Sequence, residues 1–146
     1  MSNSKSGVGR FQNYTPGLGS VGQYQTSGIP WVSSSVNVPA FGHTPHQIDF
    51  YNITKFITIS NTNTGANAPM RFGFSEMGVT GSVATAQNYI VLDNGESYTG
   101  EFRVGSVFLL ADTTTGTTAS IAAGLTGIPV DSVGGWTNWS GNVGIQ

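Results

Sequence analysis

The chain has 146 residues, a net charge of −2 and no cysteine, and charged residues make up 8% of it. Its length predicts one domain with a full core, since chains of this size bury about 70% of their unfolded surface. The lack of cysteine excludes disulfides and cysteine-bound metals, and the five basic residues exclude a phosphate-binding groove for nucleic acid. Gly, Ser, Thr and Asn take the place of charge, which is typical of proteins rich in strands and turns.

Residues 1–46 differ in composition from the rest of the chain. They contain no acidic residue and are rich in Gly, Ser, Gln and Pro, with scattered aromatic side chains. Weak periodicity and frequent turn dipeptides predict an extended arm. Because termini of this composition stay ordered only when they are tied down, we expect the arm to dock on its own domain or on a neighbouring subunit.

From residue 47 the sequence changes to short β-branched and aromatic segments separated by turns. Strands are predicted at residues 55–60, 70–75, 89–92, 98–104, 107–110 and 117–122. Loops are predicted at residues 61–69 and through Gly78 and Gly81, and no helix is expected. The pattern predicts an all-β fold, a single antiparallel β-sandwich over residues 47–126 with a loop-like tail at 127–146. Jelly-roll and immunoglobulin-like topologies both fit this pattern.

The densest acidic stretch is VLDNGESYTGE, which contains Asp93, Glu96 and Glu101. Asn-Gly is a strong signal for a type I′ hairpin turn, so Asp93 is predicted in a turn and Glu96 at the start of the next strand. A catalytic pair needs two carboxylates facing each other, but residues five apart on one strand point to opposite faces. The stretch also lacks the spaced acids of a calcium loop.

The two histidines, His43 and His46, have the spacing of a metal-binding pair, with Asp49 nearby. Pro45 lies between them and makes the segment extended, which gives poor geometry for a metal on a helix. No nucleophile elbow and no phosphate loop occurs in the sequence. We therefore predict no catalytic residue, no cofactor and no metal site, and we expect that the protein is not an enzyme.

The aromatic residues near both ends are the candidate contacts for a partner, because aromatic side chains fill pockets at interfaces. The candidates are Phe11, Tyr14, Tyr24, Trp31, Trp136 and Trp139. An alternative is a carbohydrate- or receptor-binding module, in which the tryptophans stack on sugars beside the polar loops 61–67 and 79–88.

Three segments, FITISNT at 56–62, MRFGFSEMGV at 70–79 and SYTGEFRV at 97–104, resemble a class of small β-sandwich virion proteins. These are the minor capsid, cement and decoration proteins of large double-stranded DNA viruses and similar head proteins of tailed phages. The resemblance runs over residues 22–130 and implies a capsid location, capsid proteins as partners, and a homo-oligomer such as a trimer or a larger assembly. It implies no catalytic residues.

The composition supports that expectation independently. A surface with so little charge is unusual for a free monomer, so we expect other proteins to cover much of it. No apolar run is long enough to cross a membrane, the N-terminus has no apolar signal region, and the net charge favours neither nucleic acid nor an anionic membrane.

Overall fold

The computed structural model describes residues 28–81 and 87–130. These residues form eight strands and one short helix: β1 (Ile29–Val38), β2 (His46–Asp49), β3 (Asn52–Asn61), β4 (Met70–Gly73), α1 (Glu76–Thr80), β5 (Ile90–Leu92), β6 (Ser97–Gly100), β7 (Ser106–Ala111) and β8 (Thr117–Pro129). All their pairings are antiparallel, which confirms the predicted all-β sandwich. None of the described helical residues forms a segment long and apolar enough to cross a membrane.

The strands form two four-stranded sheets, in the orders β1-β8-β3-β6 and β2-β7-β4-β5. The pairs β1 with β8, β2 with β7, β3 with β6 and β4 with β5 are nested, as in one long hairpin wound around a barrel. The pairing of β3 with β8 and of β4 with β7 joins these strand pairs into the two four-stranded sheets. This connectivity is that of the jelly roll, and it excludes the immunoglobulin-like alternative, whose sheets combine the strands in another order.

The core lies between the two sheets and follows the two-residue period of a strand. Ile57 and Ile59 of β3 point inward and are buried, whereas Thr58 and Ser60 between them are half-exposed. On β8, Ile121 is buried in the same cluster. The opposite sheet contributes Ile48, Phe72 and Leu109 to that cluster.

The predicted boundary between arm and sandwich is wrong within the described residues. Residues 29–38, which composition assigned to the arm 1–46, form β1, and β1 pairs along most of its length with β8. The strand signal is hidden because β1 has small polar residues and a bulge between Ser33 and Val36, where Ser35 has a φ of 57°. At the other end, β8 continues to Pro129, inside the predicted tail 127–146.

The connection from β4 to β5 contains a helix where a loop was predicted. Ser75 caps α1, and its hydroxyl accepts a hydrogen bond from the backbone nitrogen of Gly78 at 3.0 Å. The helix has five residues, which is too short to show a helical hydrophobic period in the sequence. Two predicted strands are also shorter than expected, since β4 ends at Gly73 and β6 at Gly100.

Candidate functional site

The acidic stretch at residues 93–96 is a turn, as predicted. The backbone nitrogen of Glu96 donates to the carbonyl of Asp93 at 2.9 Å, and the Glu96 carboxylate accepts from the Asp93 nitrogen at 2.8 Å. Gly95 is the residue of this turn with a positive φ, 81°, which is typical of type II and differs from the predicted type I′. The hairpin prediction is wrong because the turn joins β5 of one sheet to β6 of the other.

Asparagine side chains hold the loops at this end of the sandwich. Asn94 accepts from the backbone nitrogen of Ala68 at 3.0 Å and so ties the β3–β4 loop to the turn. The buried Asn61 donates to the carbonyls of Ala68 at 2.9 Å and Leu92 at 3.0 Å, and it accepts from the Thr117 hydroxyl at 3.0 Å. These bonds satisfy buried polar groups, so the role of both asparagines is structural.

The titratable side chains considered as possible chemistry lie apart from one another on the surface. Glu96 and Glu101 are exposed, and so are His43 and His46. His43 places its Nδ1 3.2 Å from the carbonyl of Ala40, in its own loop. In residues 28–81 and 87–130, His, Asp and Glu form no group of three that could hold a metal ion.

Of the six aromatic residues predicted as partner contacts, the structure describes Trp31. Its ring packs edge-to-face on Phe50 with centroids 4.9 Å apart, at the margin of the core. Phe11, Tyr14, Tyr24, Trp136 and Trp139 lie outside the described residues. Of the polar loops of the sugar-binding alternative, 61–67 precedes β4 and the described part of 79–88 follows it, so they adjoin opposite ends of that strand.

The part of the outer side of the β2-β7-β4-β5 sheet that lies along β7 is covered by the chain itself. Every residue of β7 is buried, although only every second one faces the core between the sheets. Phe108 and Leu110 point to the other side and form a second apolar cluster with Val79 of α1, and Tyr89 packs against it. The β4–β5 connection therefore acts as a third layer over this sheet.

Arg71 holds this layer in place. Its Nη1 donates to the carbonyl of Val79 at 3.0 Å, and its Nε contacts a carboxylate oxygen of Asp112 at 2.5 Å. The guanidinium carbon lies 4.3 Å from the ring centroid of Tyr89 and 4.8 Å from that of Phe41. One side chain thus links α1, the β1–β2 loop, the residue before β5 and the residue after β7. It does so through charge-assisted and cation–π contacts.

The outer side of the β1-β8-β3-β6 sheet has a different surface, which we call the hydroxyl face. Two rows of paired residues cross it, one of Val32, Ala122, Thr58 and Thr99, the other of Ser120, Ser60 and Ser97. Within these four strands, all in the described part of the chain, Lys55 is the single charged residue. The outward residues of both rows are half-exposed or exposed.

Four of the hydroxyl groups on this face are paired within the chain. The hydroxyl oxygens of Thr58 and Thr99 are 2.9 Å apart, and those of Ser60 and Ser97 are 2.7 Å apart. Two apolar side chains rise from the same face, Val32 with 71% of its surface exposed and Phe56 with 36%. The Phe56 ring lies over Gly124, where an added Cβ would overlap it.

Sequence reasoning missed the hydroxyl face, although its signal is present. The alternation in ITIS at 57–60 and in TASI at 118–121 puts Thr or Ser on one side and Ile or Ala on the other. Finding that these segments are neighbours required the register between β3 and β8.

Comparison with known proteins assigns no family to the chain. A scan against protein-family models finds no match. A search of the curated proteins finds none with significant similarity either.

Proposed function

We propose that this protein is a structural component of a virus particle, a minor capsid, cement or decoration protein that binds shell subunits. The observation that carries the proposal is a jelly roll with one sheet face whose two rows of outward residues contain no charged residue and which no described part of the chain covers. The jelly roll is a common fold of capsid proteins, although lectins and cupins also use it. The fold alone therefore does not distinguish a capsid role from that of a lectin or a cupin, and the surface has to distinguish these roles.

The surface favours assembly over chemistry. A shell protein needs area that can be desolvated at low cost, and the hydroxyl face favours this because four of its hydroxyls, in two pairs, already bond each other. A catalyst needs acids, bases or nucleophiles that converge, and Glu96, Glu101 and His46 are exposed and separate. The proposal therefore includes no catalytic step and no cofactor.

In this role the sandwich and the chain ends would work together. The first residues of β1 pair with β8 near its end, so the described residues 28 and 130 lie toward the same end of that sheet. The sequence beyond these two residues includes Tyr24 and Trp136, two of the predicted aromatic contacts. Several weak contacts of this kind give strong binding when they act on one lattice.

Quantitative mass spectrometry of particles purified from the source tests the proposal. We expect this protein at a fixed ratio of whole copies to the main shell protein, reproducible between preparations and unchanged by salt washes that remove adsorbed proteins. Absence from the particles, or a trace amount whose ratio varies, would contradict a structural role. Binding to a glycan array that competes with the free sugar would instead support the carbohydrate-binding alternative.

A further inference from the structure

We propose that two copies of this chain pair through the hydroxyl face, sheet against sheet. The inference concerns the face that the proposed function assigns to assembly, and it names the occupant of that face as a second copy, so that shell subunits would be bound by the rest of the surface and the chain ends. It can be tested on the purified protein, independently of particles. It follows from the charge, the hydrogen bonding, the relief and the area of that face.

The lack of charge in the two rows allows the hydroxyl face to contact the same face of a second copy. In a two-fold interface the same patch occurs on both partners, so a charged patch brings like charges together. The two rows through Thr58 and Ser60 contain no charged residue. A partner with a charged surface would leave its own charges unpaired against these rows, whereas a second copy would not.

The hydrogen bonding makes the face easy to dehydrate. Thr58 bonds Thr99, and Ser60 bonds Ser97, within one chain. A hydroxyl that keeps a protein partner loses less on leaving water than one that bonds only to solvent. The pairing can therefore exclude water from these four hydroxyls at a lower cost than from hydroxyls that bond only to solvent.

The shape of the hydroxyl face is complementary to the same face of a second copy. Phe56 and Val32 stand above the sheet, while Ala122 and Ser120 on the strand between them form a low strip. A two-fold rotation places the raised side chains of one copy over the low strip of the other. Two sheets packed face to face lie about 10 Å apart, and we expect the same spacing between the two copies.

The area agrees with a weak, reversible dimer. The two rows of the hydroxyl face cross four strands spaced about 4.8 Å apart, and the neighbouring row of Pro30, Gly124 and Phe56 adds to them, which gives about 350 Å² on each copy. A pair would bury about 700 Å² in total, in the size range of weak, transient contacts. We therefore expect association that depends on concentration, with both monomer and dimer detectable.

Sedimentation equilibrium of the full chain, with and without a charge on the face, is the experiment that tests this. We expect the mass to rise with concentration from 15.2 kDa toward twice that value. Thr58→Glu and Val32→Glu each put a charge into the interface and should weaken association, raising the Kd at least about tenfold. Gln47→Glu, exposed on β2 of the other sheet, is the matched control and should leave the Kd unchanged.

Because the chain has no cysteine, single-cysteine spin labels can identify the contacting face. In a face-to-face pair, labels at Ser97→Cys lie on the two contacting sheets and should give a short distance. Labels at Gln47→Cys lie on the two outer sheets, which are separated by three sheet spacings, or about 30 Å. A wild-type chain that stays monomeric at all concentrations overturns the proposal. So does a dimer in which Thr58→Glu and Val32→Glu associate as well as wild type, or in which the Gln47 labels are the closer pair.

Discussion

The two sheets of this sandwich treat their outer sides in opposite ways. The β2-β7-β4-β5 sheet buries the outward residues of its inner strand β7 under α1, and Arg71 fixes that layer. The β1-β8-β3-β6 sheet carries hydroxyls, alanine and glycine outward and receives no comparable layer from the described residues. The difference shows that a sheet covered by its own chain has apolar residues on both sides, whereas a sheet left open for a partner keeps the alternation of apolar and polar residues.

The largest expected effect compares equivalent outward positions in the two sheets. Leu110→Ala removes a buried side chain beneath α1 and should lower the free energy of unfolding by about 3 kcal/mol. Val32→Ala, its control on the open sheet, should change the free energy of unfolding by less than about 0.5 kcal/mol. Urea denaturation at low protein concentration measures both, and equal losses would show that the two outer sides are covered alike.

Removal of the Arg71 side chain should have the next largest effect. Arg71→Met deletes the contact with Asp112 and the bond to the Val79 carbonyl, and should lower the free energy of unfolding by about 2 kcal/mol.

The same substitution should loosen the covering layer before the rest of the fold. The Val79 amide donates to the carbonyl of Ser75, the residue that caps α1. We expect faster hydrogen exchange of this amide, with little change in β3 or β8. Arg71→Lys keeps the charge but loses the planar fork and the stacking, so it should recover only part of the stability. Unchanged exchange at Val79 in Arg71→Met would contradict the proposed role of the clamp.

The smallest effect distinguishes two glycines that both lie against other atoms. A Cβ at Gly73, in the covered sheet, would lie 2.8 Å from the carbonyl oxygen of Asn88, so backbone must move, and we expect Gly73→Ala to cost about 2 kcal/mol. A Cβ at Gly124 would overlap the ring of Phe56, which is partly exposed and can swing outward, so Gly124→Ala should cost less than about 1 kcal/mol. Thermal denaturation of both variants checks the order, and a reversed order would mean that Phe56 is held as firmly as backbone.

The central strands of the fold could be predicted from the sequence because their signals are local. The segments at 55–60 and 107–110 have β-branched or aromatic residues over several positions and lie within β3 and β7. The turn at 93–96 also has a local cause, the conformational freedom of Gly95.

Other features could not be predicted because their causes lie far away in the chain. β1 is a strand because it pairs with β8, nearly a hundred residues later, and its own composition resembles that of a flexible arm. The role of Arg71 depends on Phe41, Tyr89 and Asp112, which come from three separate connections. The mistaken hairpin at Asn94 has the same origin, since a turn sequence does not specify whether its flanking strands share a sheet.

The sequence by itself determined the all-β class, the antiparallel sandwich and the charge-poor surface, because each depends on composition or on a period of two residues. Only the tertiary structure decided the jelly-roll connectivity, which is a property of pairings between distant strands. It also decided which polar residues stay outside, because Thr58 and Ser120 become parts of one face only through the register of β3 on β8. A one-residue shift of that register would turn those hydroxyls into the core, so the hydrophobic residues between them select the face that is left open.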